Sequence, residues 1–334
     1  MPASNVQNPF PLTRLNSLFP GQMGVPGGWT DTGLRDHVTG TVFYVDPNYP
    51  GVDSGADGTD PTNPLPTIAA ALAKCHDFRG DMICVMANDG WQYGPKSTAY
   101  TTVIEEDVVV TVHGVRIVGV APSSPTGVIW RPATAGGVAC TVQALDVLIE
   151  GFCFSESSAG VGGGTGIFGQ WDGVTYWGDN GVVRNCFFDD SLDVGIDGDF
   201  CWGWDIHHNR FEGCDSCGIY QDPAKYSAWE YAHIHENSFT SCGEGALGAI
   251  NVDDGNFNTV WGNSFYNGNA VAAAAATDEG INFSSGNDNF VYNNWFSCLL
   301  PVPANGDWDD FNSAGADAWV GNHCMDGLAV TNPT

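Results

Sequence analysis

The chain has 334 residues, and its 39 Asp and Glu against 10 Lys and Arg give a formal net charge of -29. Binding to phosphate needs a basic stripe, so this balance excludes nucleic acid as a direct partner, and an anionic membrane surface with it. Charged residues make up only 15% and glycines number 44, a mix that suits a β-rich, turn-rich globular fold whose acidity serves solubility.

Met1-Pro2-Ala3-Ser4-Asn5 carries no basic region, and no apolar run follows it, so a signal peptide is not expected. No uninterrupted apolar stretch is long enough to span a bilayer, so membrane insertion is not expected either. Residues 1–40 are rich in Pro, Gly and Asn, with scattered apolar anchors such as Phe10, Leu12, Leu18, Phe19 and Trp29. They have no sustained period and are expected to form an extended arm or a disordered tail, the apolar anchors favouring an arm that docks on a partner or a neighbouring subunit.

Residues 41–110 are expected to hold an N-terminal cap and the first coils. Thr41-Val42-Phe43-Tyr44-Val45 is a strand by its β-branched and aromatic content. A loop dense in Asp, Gly and Pro follows, and then Pro66 and Thr67 open a helix that places Ile68, Leu72 and Cys75 at helical spacing. Gly80-Asp81-Met82-Ile83-Cys84-Val85-Met86 reads as a turn into a buried strand. This order resembles the N-terminal module of pectate-lyase-like right-handed β-helix proteins. The resemblance rests on Phe43-Tyr44-Val45-Asp46, Gly55-Ala56-Asp57-Gly58-Thr59, Pro64-Leu65-Pro66-Thr67-Ile68 and Gly80-Asp81-Met82-Ile83. A stacked solenoid needs such a cap, because it otherwise ends in an apolar cross-section and unpaired strand edges.

Residues 111–300 repeat. Val182-Val183-Arg184-Asn185-Cys186-Phe187, Ile206-His207-His208-Asn209-Arg210-Phe211 and Ile234-His235-Glu236-Asn237-Ser238-Phe239 share an Ile/Val, an Asn and a Phe. Val260-Trp261-Gly262-Asn263-Ser264-Phe265 and Val291-Tyr292-Asn293-Asn294-Trp295-Phe296 repeat the pattern, and Ile149-Glu150-Gly151-Phe152-Cys153-Phe154 varies it with Phe in place of Asn. The Asn positions lie 24, 28, 26 and 31 residues apart by subtraction. A second motif interleaves: Gly195-Ile196-Asp197, Gly218-Ile219-Tyr220, Ala249-Ile250-Asn251 and Gly280-Ile281-Asn282. Constant motifs at variable spacing mean that strands keep register while insertions fall in turns. The fold expected is all-β: a single-stranded right-handed parallel β-helix, with a short N-terminal capping helix and an extended arm. Ile/Val and Phe should stack inward, and Asn should take the left-handed backbone of a tight corner and bond along a ladder. Residues 301–334 are expected to be a C-terminal cap or tail.

The 11 cysteines read as small apolar core residues, with Cys214 and Cys242 stacked five positions after a motif Asn. Cys214 and Cys217 form a single C-x-x-C without a matching second pair, so no metal and no cofactor is expected. Three features can carry chemistry. Asp199, Asp222 and Asp253 share one offset from Ile196, Ile219 and Ile250, which would set carboxylates of adjacent coils about 5 Å apart. Such a column can act as acid and nucleophile on a glycan, or can simply mark a corner, since Asp is a common turn residue. His207 and His235 share a second column, with His208 and His233 beside them, read as an outward ladder. Trp202 and Trp204 alternate near Asp199 and are the candidate glycan contacts.

The run from Pro64 to Cys75, the run from Gly80 to Met86, and Val115-Arg116-Ile117-Val118-Gly119 are similar to β-helix virion proteins of tailed bacteriophages. That resemblance covers roughly residues 41–300. Beside the absence of an obvious separate anchoring or trimerising domain, which favours a non-enzymatic capsid decoration or fibre-like element assembled in the bacterial cytoplasm, it implies a structural or host-contacting protein on the particle. It also implies a homotrimer, contact with other virion proteins through the arm, and contact with a host-surface glycan. The alternative is a tailspike-type protein that binds or cleaves polysaccharide with the acidic column.

Overall fold

The computed structural model describes residues 39–49, 55–86, 102–120, 128–156, 163–173, 178–199, 201–221, 229–242, 248–267, 280–285, 288–298 and 318–324. Most of the expected arm, and most of 301–334, lies outside the described residues. The described strands form three parallel sheets of ten, nine and seven strands. Each coil gives one short strand to each sheet. In one coil these are Asp205–His207, Arg210–Glu212 and Cys217–Gln221, and in the next His233–His235, Ser238–Thr240 and Ile250–Asp254. Strands pair with their equivalents one coil later, as in Ile206↔Ile234, Phe211↔Phe239 and Ile219↔Ile250, with one register shift between Gly164 and Thr165. Crossovers between parallel strands take the right-handed path, and the molecule is a right-handed parallel β-helix. No helix among the described residues is long and apolar enough to cross a membrane.

The core is a set of columns. Ile149, Val183, Ile206, Ile234, Val260 and Val291 follow one another inside the ten-stranded sheet, all buried. Phe154, Phe188, Phe211, Phe239, Phe265 and Phe296 do so inside the nine-stranded sheet, with ring centroids 4.6–5.1 Å apart and planes within 10°. Stacking at this spacing follows from the inter-strand distance of about 4.8 Å. Gly166, Gly195 and Gly218 lie against this phenylalanine column. A Cβ on Gly195 would come within 2.6 Å of the Gly218 carbonyl oxygen and 2.8 Å of the Phe211 ring. We expect Gly195→Ala to cost about 1–3 kcal/mol by overpacking, read as a lowered melting temperature.

The asparagines form a ladder, one residue away from where the first motif copy suggests. Phe188, not Phe187, pairs with Phe211, so Cys186 takes the ladder position and Asn185 precedes it. The ladder residues are Asn209, Asn237, Asn263, Asn294 and Asn322. Each of the first four donates its backbone N–H and its Nδ2 to the Oδ1 of the next. Each also reaches a buried carbonyl of the preceding coil, as Asn237 Nδ2 does with Ile206 at 2.8 Å. These side chains point inward. The left-handed backbone belongs to the residue before: Asn185, His208, Glu236, Gly262, Asn293 and Gly321. The corner therefore splits two tasks that the sequence motif assigned to one residue. A second pair, Asn258 and Asn289, repeats the ladder at the next corner.

At the N-terminal end, helix α1 (Ile68–Leu72) packs Ile68, Ala71 and Leu72 into the same core as Phe43, Val45, Ile83 and Val85. Thr67 Oγ1 accepts from the Ala70 N–H, and the Glu106 carboxylate accepts from Ile68 and Ala69. The free N–H groups of the first turn are thus satisfied. Buried Asp81 accepts from the Thr41 and His76 backbone N–H groups and from Arg79 Nε, tying strand, helix end and turn together. The nine cysteines whose side chains are described are free thiols, eight of them buried.

Candidate functional site

Ile196, Ile219 and Ile250 align as their spacing predicts. Asp199 follows the strand Leu192–Gly198 and donates its backbone N–H to Gly169 at 2.9 Å. Asp222 lies outside the described residues, and of Asp253 only the backbone, within Ile250–Asp254, is described.

Trp202 and Trp204 do not share a face. They flank Gly203, whose φ of 66° turns the chain at a corner, so the alternation of a strand does not apply there. Trp202 is 49% exposed and Trp204 is fully buried. The Trp204 indole donates to the Gly178 carbonyl and tilts against Trp229, filling the core at the bend. Trp204 is a packing residue, and of the expected pair only Trp202 faces solvent.

Trp202 has neighbours the sequence did not single out. Tyr231 lies 6.0 Å away at 76°, and Phe257 stacks on Tyr231 at 5.2 Å and 10°. The three rings occupy one corner of successive coils. By strand register Asp146, Asn180, Gly203, Tyr231, Phe257 and Asp288 share one column, all with left-handed backbone. Gly, Asn and Asp suit that conformation; Tyr231 (φ 56°) and Phe257 (φ 57°) hold it at a cost of about 1–2 kcal/mol each. Position three before the motif Ile/Val would have found them, since bulky aromatics there break the local rule.

The histidine column forms on the outer side of the sheet, but His207 and His235 are buried there, 5% and 9% exposed. His207 stacks on His235 at 4.9 Å, and His235 on Trp261 at 4.3 Å, with planes within 5°. His235 Nε2 bonds Asp205 Oδ1 at 3.0 Å, His207 Nδ1 bonds His208 Nδ1 at 2.7 Å, and His208 Nε2 meets Glu236 at 3.0 Å. One coil earlier, Arg184 pairs with buried Glu150 at 3.4 Å. Burial, with the nearby cationic side chains, pushes His207 down to about 4 despite Asp205. Burial would raise Asp205, but its bond to His235 and the surrounding imidazoles hold it below the usual carboxylate range. A histidine whose folded pKa is depressed favours the unfolded state as it gains a proton. Stability should therefore fall as pH drops from about 6.5 toward about 4. In acid melts His207→Gln should flatten that decline, worth on the order of 3 kcal/mol at its foot; an unchanged slope would assign the loss elsewhere.

Beside this cluster a groove of about 880 Å³ runs along the corner of the ladder, lined among others by Asn185, His208, Arg210, Glu236, Ser238 and Ser264. The His207–His208 bond links the buried column to the His208–Glu236 pair at the groove. Among the described residues no group of three or more His, Cys, Asp or Glu side chains is arranged to hold a metal ion.

Residues 149–278 match the family model described as periplasmic copper-binding protein (NosD). No curated protein matches the sequence. Among solved structures, the alginate lyase from Paenibacillus sp. str. FPU-7 is similar at 13% identity, over 77% of this chain and 92% of that one, with a TM-score of 0.46. Pectate lyase Pel9A is similar at 14% identity, over 87% and 79%, with a TM-score of 0.34. ORF18 of Geobacillus virus E2 is similar at 10% identity, over 77% and 58%, with a TM-score of 0.31.

Proposed function

We propose that the chain is a non-enzymatic structural protein of a bacteriophage particle. It is a capsid-surface decoration or fibre-like element, anchored by residues 1–40 to other virion proteins and assembled as a homotrimer. The supporting observation is how the outer polar groups are spent. Asp205 with His235, His208 with Glu236, and Arg184 with Glu150 are tied to one another along the stack. Together with the inner Asn and Phe ladders they stiffen a rod, and a stiff rod suits display. The free thiols fit assembly in a reducing cytoplasm.

Immunogold imaging of purified particles tests this reading. Label at regular surface positions is the expected result, and its absence from all particles would end the proposal. Deleting residues 1–40 should abolish incorporation while leaving the β-helix folded; incorporation at normal levels would remove the arm as anchor.

A second reading, a tailspike-type enzyme, is favoured by the groove with its His208–Glu236 pair and by the common sequence offset of Asp199, Asp222 and Asp253 from the paired Ile196, Ile219 and Ile250. It requires that the purified protein shorten a host polysaccharide and that Asp199→Asn, Asp222→Asn or Asp253→Asn abolish this.

A further inference from the structure

We infer that Trp202, Tyr231 and Phe257 form a binding ridge for an uncharged polysaccharide. This deepens the display reading, which would make the polysaccharide a host-surface one, but the binding itself does not depend on particle location.

The first argument is the choice of residue. In the other described coils this corner column holds Gly, Asn or Asp at its left-handed position. Tyr231 and Phe257 hold it with large rings that are each 46% exposed, so core burial does not explain them. A local rule broken at the surface without a packing gain marks a position kept for contact.

The second argument is geometry. The rings sit on three consecutive coils, two steps of about 4.8 Å along the helix axis. Tyr231 and Phe257 lie parallel, and the Trp202 indole, at 76° to Tyr231, presents a plane that does not continue the stack. A row of this length matches an extended polymer of sugar rings lying along the axis. Stacked on each other, Tyr231 and Phe257 turn ring edges outward, so the apolar C–H surface of the sugars packs on those edges and on the crosswise Trp202 indole, while the Tyr231 hydroxyl meets sugar hydroxyl groups.

The third argument is charge. Glu230 adjoins Tyr231, Asp288 follows Phe257 in the column, and Asp146 and Asp179 lie at the other end. With a net charge of -29, these carboxylates repel acidic polysaccharide, nucleic acid and the same acidic corner of a second copy, so contact between copies falls on another face. They remain good acceptors for sugar hydroxyls.

The test is titration of the full chain with cellohexaose, maltohexaose, mannohexaose and hexagalacturonate, followed by indole fluorescence and calorimetry. At least one neutral hexamer should bind, and the acidic one should not. Trp202→Ala and Phe257→Gly should each weaken binding tenfold or more. Tyr231→Gly and Phe257→Gly should melt at the same or a higher temperature, because glycine suits their backbone. The inference is overturned if no neutral hexamer binds, if hexagalacturonate binds as well, or if the variants bind like the parent. A change of oligomeric state in the glycine variants would instead assign the ridge to contact between copies, and would also overturn it. Neutral-sugar binding by a protein that imaging places off the particle would sink the display reading and leave the ridge standing.

Discussion

Asn237→Ala should lower the folding free energy by about 4 kcal/mol, since each stranded buried polar group costs about 1–3 kcal/mol. Its side chain accepts from the backbone and side-chain N–H of Asn209 and donates to Ile206 and Asn263. Alanine takes the acceptor from the Asn209 backbone N–H and one Asn209 Nδ2 hydrogen, and removes the donor to the Ile206 carbonyl, while Asn263 Oδ1 keeps only the bond from the residue 237 backbone N–H. Asn185→Gly provides the contrast. Asn185 sits at the left-handed corner (φ 52°), where glycine fits, and its side chain loses one bond, to Glu150. It should cost no more than about 1–2 kcal/mol. Urea unfolding of the two variants measures both. Equal losses would mean that the ladder does not run through Asn237 and bypass Asn185.

Phe239→Ala should cost about 4 kcal/mol, the usual loss for a fully buried phenylalanine. Its ring is 1% exposed and sits between Phe211 at 4.7 Å and Phe265 at 5.0 Å. A solenoid coil touches only its neighbours, so the damage should be local. Hydrogen exchange should quicken first in Arg210–Glu212, Ser238–Thr240 and Ser264–Asn267, while Val42–Val45 and Met82–Met86 stay protected. Uniform acceleration along the whole chain would contradict this picture of independent coil interfaces. Phe239→Leu keeps most of the volume and should lose clearly less than alanine.

Both expectations depend on a register that was nearly legible beforehand. The copies around Asn209, Asn237, Asn263 and Asn294 align in space as they align in sequence. The copy at Asn185 slipped by one because Phe187 and Phe188 offer two equally plausible anchors. Only pairing with Phe211 separates them. The stacking of Cys214 over Cys242 and of His207 over His235 was also readable, because a repeat places equal offsets in one column.

The candidate sites were less legible, and Trp202 with Trp204 says why. Residues two apart share a face only in an extended chain. The left-handed Gly203 between them redirects one indole into the core and leaves the other outside. Tyr231 and Phe257 went unnoticed because nothing in their own segments signals that they meet Trp202. They come from separate coils, 29 and 26 residues apart by subtraction.

The division of labour is thus a physical one. The repeat of Ile/Val, Asn and Phe carries the stacked coils, because a periodic apolar pattern can bury itself only against its own next copy. That much follows from local order and spacing. Which residue at a corner bends the chain, which points inward, and which rings gather on the outer ridge follows from backbone angles and neighbouring coils. Those are properties of the closed stack, and they exist only once each coil has settled on the one before it.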